Sequence, residues 1–106
     1  MRMSSVYHQK LVRDKIPQII RNAGRTPVTH VAGDDEYLKK LKTKLVEEAQ
    51  EFKKSGTIEE LADVLEVIKA ICKFRKFRNR NLELIRQKKE ETKGGFGKRI
   101  ILDKIE

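Results

Sequence analysis

The chain has 106 residues, and its 25 Lys or Arg against 16 Asp or Glu give a formal net charge of +9 at pH 7. This length predicts a single domain over residues 1–106, and the one cysteine, Cys72, excludes an intramolecular disulfide framework and a cysteine zinc site. Because no apolar run approaches the ~20 residues of a membrane-spanning helix and the first residues lack the apolar stretch of a signal peptide, we expect a cytoplasmic protein without a membrane partner.

The N-terminal third of the chain predicts short elements. Tyr7–Val12 is interpreted as a short strand or an extended arm. Pro17 suits the first turn of a short helix, with Asp14 as a candidate cap and Gly24 at its end. The β-branched residues from Thr26 to Val31 predict a second extended segment.

Two amphipathic helices are predicted in the centre of the chain. The first covers about residues 36–54, and its apolar stripe consists of Leu38, Leu41, Leu45, Ala49 and Phe52. Thr57 and Glu60 fit a capping box that starts the second helix. The stripe of that helix consists of Leu61, Val64, Leu65, Ile68, Ile71 and Cys72. Because only about two to three residues link the two helices, we expect them to form an antiparallel hairpin.

The C-terminal third predicts a third helix over about residues 82–92. Asn79-Arg80-Asn81 is expected to interrupt the helical pattern before it. A glycine-rich loop covers Lys93–Arg99, and Ile100–Leu102 is interpreted as a short buried strand. The expected fold is therefore mainly α: an antiparallel hairpin plus a third helix, forming a bundle that oligomerisation completes, with short extended segments at both ends. Oligomerisation is expected because so short a chain buries little surface by itself.

Four carboxylates lie on matching flanks of the two central helices. At about 100° per residue, Glu48 and Glu51 fall to one side of the first stripe. Glu60 and Asp63 fall to the corresponding side of the second stripe, so antiparallel packing brings all four to one edge. Clustered carboxylates repel one another unless they are protonated or neutralised, and oxygen ligands suit Mg²⁺ or Mn²⁺. Although one such pair is typical of any solvated helix surface, two matched pairs predict a metal–phosphate site.

The same acids stand in motifs that resemble a known family. Residues 47–51 (EEAQE) and 59–67 (EELADVLEV) resemble the E-x-x-E…E-x-x-D signature of the MazG-like all-α nucleoside triphosphate pyrophosphohydrolases. This superfamily includes phosphoribosyl-ATP pyrophosphohydrolase and the dimeric dUTPases. Residues 10–17 (KLVRDKIP) and 94–100 (GGFGKRI) look like a small, single-domain branch of it. The chain departs from typical members in the short link between the two acidic motifs.

The resemblance implies an activity and an assembly. The expected reaction is metal-dependent hydrolysis of a nucleoside triphosphate between the α- and β-phosphates, which gives a monophosphate and pyrophosphate. House-cleaning of non-standard nucleotides is the family-level expectation, and the base and sugar of the substrate are left open. The expected cofactor is Mg²⁺, with Mn²⁺ as an alternative, and the expected assembly is a homodimer or a larger homo-oligomer. The implied metal ligands are Glu48, Glu51, Glu60 and Asp63.

The expected reaction suggests roles for other side chains. Water is the nucleophile, and Glu51 is the first choice to accept its proton, with Glu48 as the second. Phe96 is expected to stack on or cover the base. The residues expected to bind the phosphates are Lys10, Arg13, Lys15, Lys93, Lys98 and Arg99. For Lys10–Lys15, an exposed basic arm is an equally good explanation. For the glycine-rich loop Lys93–Arg99, a plain helix stop is an equally good explanation.

A basic run, Lys73–Arg80, supports a different class of function. It interleaves five cations with Phe74 and Phe77, so a basic helical nucleic-acid-binding protein is the main alternative. No helix-turn-helix, zinc-finger or RNA-recognition signature accompanies the run, and nucleic acid is therefore not the favoured partner. Its phenylalanines would otherwise pack between helices or subunits, and its charges would steer nucleotides toward the acids. Phosphoribosyl-ATP pyrophosphohydrolase and a structural assembly protein are the remaining alternatives.

Overall fold

The computed structural model describes residues 9–106 and is helical. Its helices are α1 (Ile16–Asn22), α2 (Asp34–Ser55), α3 (Ile58–Arg75) and α4 (Asn79–Lys93). The mainly α prediction is confirmed. No strand occurs between residues 9 and 106, so the buried strand expected at Ile100–Leu102 is wrong: these side chains are exposed and have no strand beside them. Thr26–Val31 has no regular structure. In Tyr7–Val12, only residues 9–12 are described, and they too are irregular.

Helix α1 begins and ends close to where its proline and glycine predict. Pro17 lies in the first turn, where its missing N–H costs nothing. The N-cap position belongs to Lys15, and no side chain caps the helix. The prediction that Asp14 caps α1 is therefore wrong. Gly24 follows the helix with φ +82°, and its N–H donates to the carbonyl of Arg21 at 2.9 Å. Glycine adopts this left-handed backbone without a steric penalty.

Helices α2 and α3 form the predicted antiparallel hairpin through a two-residue link. Gly56 adopts a left-handed conformation (φ +64°), and its N–H donates to the carbonyl of Phe52 at 2.7 Å. Thr57 then caps α3, because its hydroxyl oxygen accepts from the Glu60 N–H at 3.3 Å. At the far end of the hairpin, Tyr37 and Phe74 pack edge to face with ring centroids 5.0 Å apart. This contact joins the start of α2 to the end of α3.

The left-handed residue in this link gives a testable stability effect. Gly56→Ala is expected to lower the free energy of unfolding by about 1 kcal/mol, because alanine pays the steric cost of positive φ. Urea denaturation measures the change. Gly97→Ala is the matched control, since Gly97 has open space around it and no positive φ. Equal losses for both variants would contradict the role assigned to Gly56.

The core lies between α2 and α3 and is small. Leu41 is 1% exposed, Val67 8% and Cys72 5%. Leu41 and Cys72 belong to the predicted stripes, whereas Val67 does not. Leu61 and Leu65 were predicted to face inward but are 50% and 65% exposed. Apolar residues cover a wide arc of α3, so periodicity alone allows more than one packing face.

Helix α4 extends away from the hairpin. The interruption after α3 falls on residues 76–78, and the predicted breaker Asn79 instead begins α4. No residue of α4 is buried, and α2 with α3 forms the one extensive helix pair within residues 9–106. The radius of gyration is 18.7 Å, against about 13 Å for a compact chain of this size. A single chain therefore does not complete the predicted bundle. None of the helices described combines the length and apolarity needed to cross a membrane.

Candidate metal centre

Three carboxylates from α2 and α3 meet at one edge of the hairpin. Glu48, Glu60 and Asp63 each offer an oxygen, and these oxygens all lie within 4.8 Å of one another. All three residues are partly buried. Divalent cations bind oxygen ligands at about 2.0–2.6 Å, so one ion could contact all three. We call these three residues the acidic cluster.

The cap of α3 leaves one of these carboxylates free. In a full capping box, the Glu60 side chain would accept from the Thr57 N–H. Here the Thr57 N–H donates instead to the Ser55 hydroxyl oxygen at 3.2 Å. Only the other half of the box forms, between the Glu60 N–H and the Thr57 side chain. The Glu60 carboxylate is therefore available to the acidic cluster, three residues before Asp63 on the same helix.

Glu51, the fourth predicted ligand, lies beside the cluster and is not one of the three converging residues. It is exposed, and its charge acts on Glu60 at a distance. Glu51 lines an open pocket of about 420 Å³ on the α2 side, together with Glu48 and Lys10. Lys44, Glu47 and Gln50 complete the lining of this pocket. We call it the α2 pocket, and it places Glu51 at the rim of the cluster.

The environment of Glu60 disfavours its charged form. Partial burial raises the pKa of Glu60 above its usual value of 4.5, and the negative charges of Asp63, Glu48 and Glu51 raise it further. A bound cation would reverse this effect, because an opposite charge stabilises the carboxylate. The electrostatics therefore fit a site that gains from a positive ion.

Two cations of the chain already neutralise part of the cluster. An Arg13 guanidinium nitrogen lies 2.6 Å from Asp63 Oδ1, and Lys44 Nζ lies 3.4 Å from Glu48 Oε1. Lys44 also reaches Glu47 at 3.6 Å, the pair that the i,i+3 spacing predicts. Arg13 was expected to bind phosphate, and its contact with Asp63 was not foreseen, since the two residues are 50 positions apart.

The other predicted phosphate and base ligands lie at several separate places. Lys10 joins the α2 pocket, and Lys15 is exposed at the start of α1. A second depression of about 260 Å³ is lined by the C-terminal group Phe96, Lys98 and Arg99 with Gly95, Ile100 and Ile101. It shares no lining residue with the α2 pocket, and Phe96 is 98% exposed. Lys93 is exposed at the end of α4.

Replacing Glu60 should change how stability depends on pH. The pKa of Glu60 in the folded state is raised above its usual value of about 4.5, so the folded state binds the proton more tightly than the unfolded state does. The free energy of unfolding therefore falls as the pH rises from the usual pKa to the raised one. Glu60→Gln removes that penalty. In EDTA at pH 7 we therefore expect a higher Tm than for the wild type, and at pH 4 no gain. Thermal melts at the two pH values test this, and an equal gain at both would contradict it.

Comparisons with known proteins add one relative. A protein from Mycolicibacterium smegmatis, described as uncharacterized, is 50% identical over 48 residues, which are 45% of this chain and 49% of that protein. The match thus spans about half the length of the relative. No protein-family profile matches the chain, and no solved structure matches it. The relative's description names no activity.

Proposed function

We propose that this protein is a Mg²⁺-dependent nucleoside triphosphate pyrophosphohydrolase, as the MazG-like resemblance implies. The observation that carries the proposal is the convergence of three carboxylates, Glu48, Glu60 and Asp63, to within 4.8 Å. Such a set suits a hard divalent ion that also binds phosphate oxygens. Mn²⁺ would fit the same ligands. A cytoplasmic location, where triphosphates and Mg²⁺ are both present, is part of the proposal.

The residues around the cluster divide the work of the proposed reaction. Bound Mg²⁺ would neutralise the phosphate charge and lower the pKa of water. Glu48, Glu60 and Asp63 would hold the ion and fix its position. Glu51 stays outside this triad, which supports its choice over Glu48 as the group that accepts the proton from water.

Three cations near the cluster suit the triphosphate tail. Lys10 and Lys44 line the α2 pocket, and Arg13 stands against Asp63. With Asp63 bound to a metal ion, the Arg13 guanidinium would lose the attraction of that carboxylate. A forked guanidinium then matches the oxygens of a phosphate group. Arg13 would thus exchange its carboxylate partner for the substrate.

The proposed enzyme is a homodimer or larger homo-oligomer. Val46 on α2 and Leu61 and Leu65 on α3 are 56%, 50% and 65% exposed. Exposed apolar faces of this kind mark interaction surfaces, and helices of a second copy would cover them. Sedimentation equilibrium is expected to show at least a dimer. A stable, fully active monomer would contradict this part of the proposal.

The reaction is tested with a panel of nucleotides in Mg²⁺, with pyrophosphate and orthophosphate measured separately. Standard and damaged nucleoside triphosphates and phosphoribosyl-ATP are included, because the base and sugar decide between house-cleaning and the phosphoribosyl-ATP alternative. We expect pyrophosphate without orthophosphate, and no product in EDTA. Orthophosphate as the first product, or no turnover of any substrate, would contradict the proposal.

A further inference from the structure

The corner between α3 and α4 concentrates positive charge that the proposed reaction does not use. Residues 67–82 contain six Lys or Arg and no Asp or Glu. Five of these cations and one aromatic residue form what we call the basic corner: Lys73, Arg75, Lys76, Phe77, Arg78 and Arg80. All six side chains are exposed. No ion pair within residues 9–106 engages the five cations.

The backbone of the turn fixes how these side chains are presented. Lys76 adopts a left-handed conformation (φ +58°), and its N–H donates to the Lys73 carbonyl at 3.3 Å. The Phe77 N–H donates to the Cys72 carbonyl at 2.8 Å, which completes a Schellman motif. Glycine is the usual residue at this left-handed position. The chain therefore places a cation where glycine would fit the backbone better.

One of the two aromatics in the run stays available to a ligand. Phe74 packs on Tyr37 at 5.0 Å and belongs to the hairpin. Phe77 is 50% exposed, and the Arg75 guanidinium carbon lies 5.0 Å from its ring centroid. This cation–π pair presents an exposed ring and a charged group side by side. An aromatic platform flanked by cations is how proteins bind single-stranded nucleic acid.

We propose that the basic corner binds single-stranded nucleic acid, with its cations on the phosphates and Phe77 against an unpaired base. Duplexes hide the faces of their bases, and phospholipid headgroups offer nothing to stack. The basic corner lies about 18 Å along α3 from Asp63, at 1.5 Å per residue. Binding there does not depend on the acidic cluster, so either proposal can fail without the other.

Fluorescence anisotropy with a labelled 20-nucleotide oligo(dT) or oligo(U), in EDTA, tests the proposal. From 50 to 200 mM salt, we expect the affinity to fall roughly 50- to 130-fold, as for about four or five phosphates on a single strand. Phe77→Leu should weaken binding about 5- to 160-fold, the range for loss of one stacked base. A salt-independent affinity, or an unchanged affinity for Phe77→Leu, would overturn the proposal.

Three further variants separate local contacts from net charge and from misfolding. Lys76→Gly should weaken binding and make the dependence of log affinity on log salt concentration less steep, by the amount expected for about one phosphate contact. Thermal stability should stay equal or rise. Arg78→Gln with Arg80→Gln should weaken binding about tenfold. Lys53→Gln with Lys54→Gln removes equal charge at the opposite end of the hairpin and should change affinity less than about twofold. Equal weakening by the two double variants would overturn the proposal.

Competition identifies the kind of polyanion. Unlabelled oligo(dT) should displace the labelled strand, whereas duplex DNA of equal length and phosphatidylcholine–phosphatidylserine vesicles should displace it at least about tenfold less well. Equal displacement by duplex DNA or by vesicles would mean that the corner binds anionic surfaces in general. Either result would overturn single-stranded nucleic acid as the partner.

Discussion

Asp63→Asn should lower Mg²⁺-dependent pyrophosphate release at least about a hundredfold. Changes one shell away from a metal already cost about 10–100-fold, and Asp63 would be a direct ligand, with an oxygen within 4.8 Å of those of Glu48 and Glu60. The amide keeps the size of the side chain and removes its charge. Helix content should not change, because the substitution relieves repulsion between carboxylates. Initial rates at saturating Mg²⁺, with circular dichroism of the same samples, give the answer.

The matched control for this variant is Glu66→Gln on the same helix. Glu66 is exposed and lies outside the acidic cluster. The turnover of the Glu66→Gln variant should therefore stay within about twofold of the wild type. Normal turnover by Asp63→Asn, or an equal loss of turnover in Glu66→Gln, would contradict a metal site at the acidic cluster.

Asp63→Asn also breaks the ion pair between Arg13 and Asp63. A second variant separates the loss of this ion pair from the loss of a metal ligand. Arg13→Gln leaves all three carboxylates in place, so metal binding should persist. If Arg13 moves to the phosphates, its loss should appear mainly as a raised KM for the nucleotide. A loss of metal binding in Arg13→Gln would instead give Arg13 a purely structural role.

The largest stability effect is expected at Leu41. It is 1% exposed and is the most deeply buried side chain between α2 and α3. Leu41→Ala should lower the free energy of unfolding by about 3 kcal/mol, the sum of lost burial and of the cavity left behind. That is a large share of the 5–15 kcal/mol typical of a domain. Urea denaturation at fixed protein concentration measures it, since subunit association would add to apparent stability.

An exposed aliphatic residue provides the control for that experiment. Val31 is 98% exposed and lies before α2. Val31→Ala should change the free energy of unfolding by no more than about 0.5 kcal/mol. If the two variants lose similar stability, the core does not lie where we place it.

Helix positions followed from the sequence because local signals determine them. Pro17 and Gly24 bracket α1, and Gly56 with Thr57 marks the turn of the hairpin. The interruption after α3 was misplaced because its left-handed residue is Lys76, which carries no turn signal of its own. The asparagines at 79 and 81 do carry such a signal, yet they lie inside α4.

The tertiary arrangement was harder to predict, because it depends on which faces meet. Val67 is buried while Leu65 is exposed, and both are aliphatic residues of the same helix. The contact between Arg13 and Asp63 joins residues 50 positions apart, and no local pattern encodes it. The acidic edge was predictable since it needs only helical spacing and an antiparallel hairpin. Helical spacing alone does not separate Glu51 from the three converging acids.

Binding of Mn²⁺ followed by electron paramagnetic resonance tests most directly whether the converging carboxylates hold a divalent ion. The wild type and Glu66→Gln should bind Mn²⁺ with the same affinity, in competition with Mg²⁺. Asp63→Asn should lose that binding while it keeps its helix content. Unchanged Mn²⁺ binding by Asp63→Asn, or no Mn²⁺ binding by the wild type, would contradict a divalent-ion site at these carboxylates.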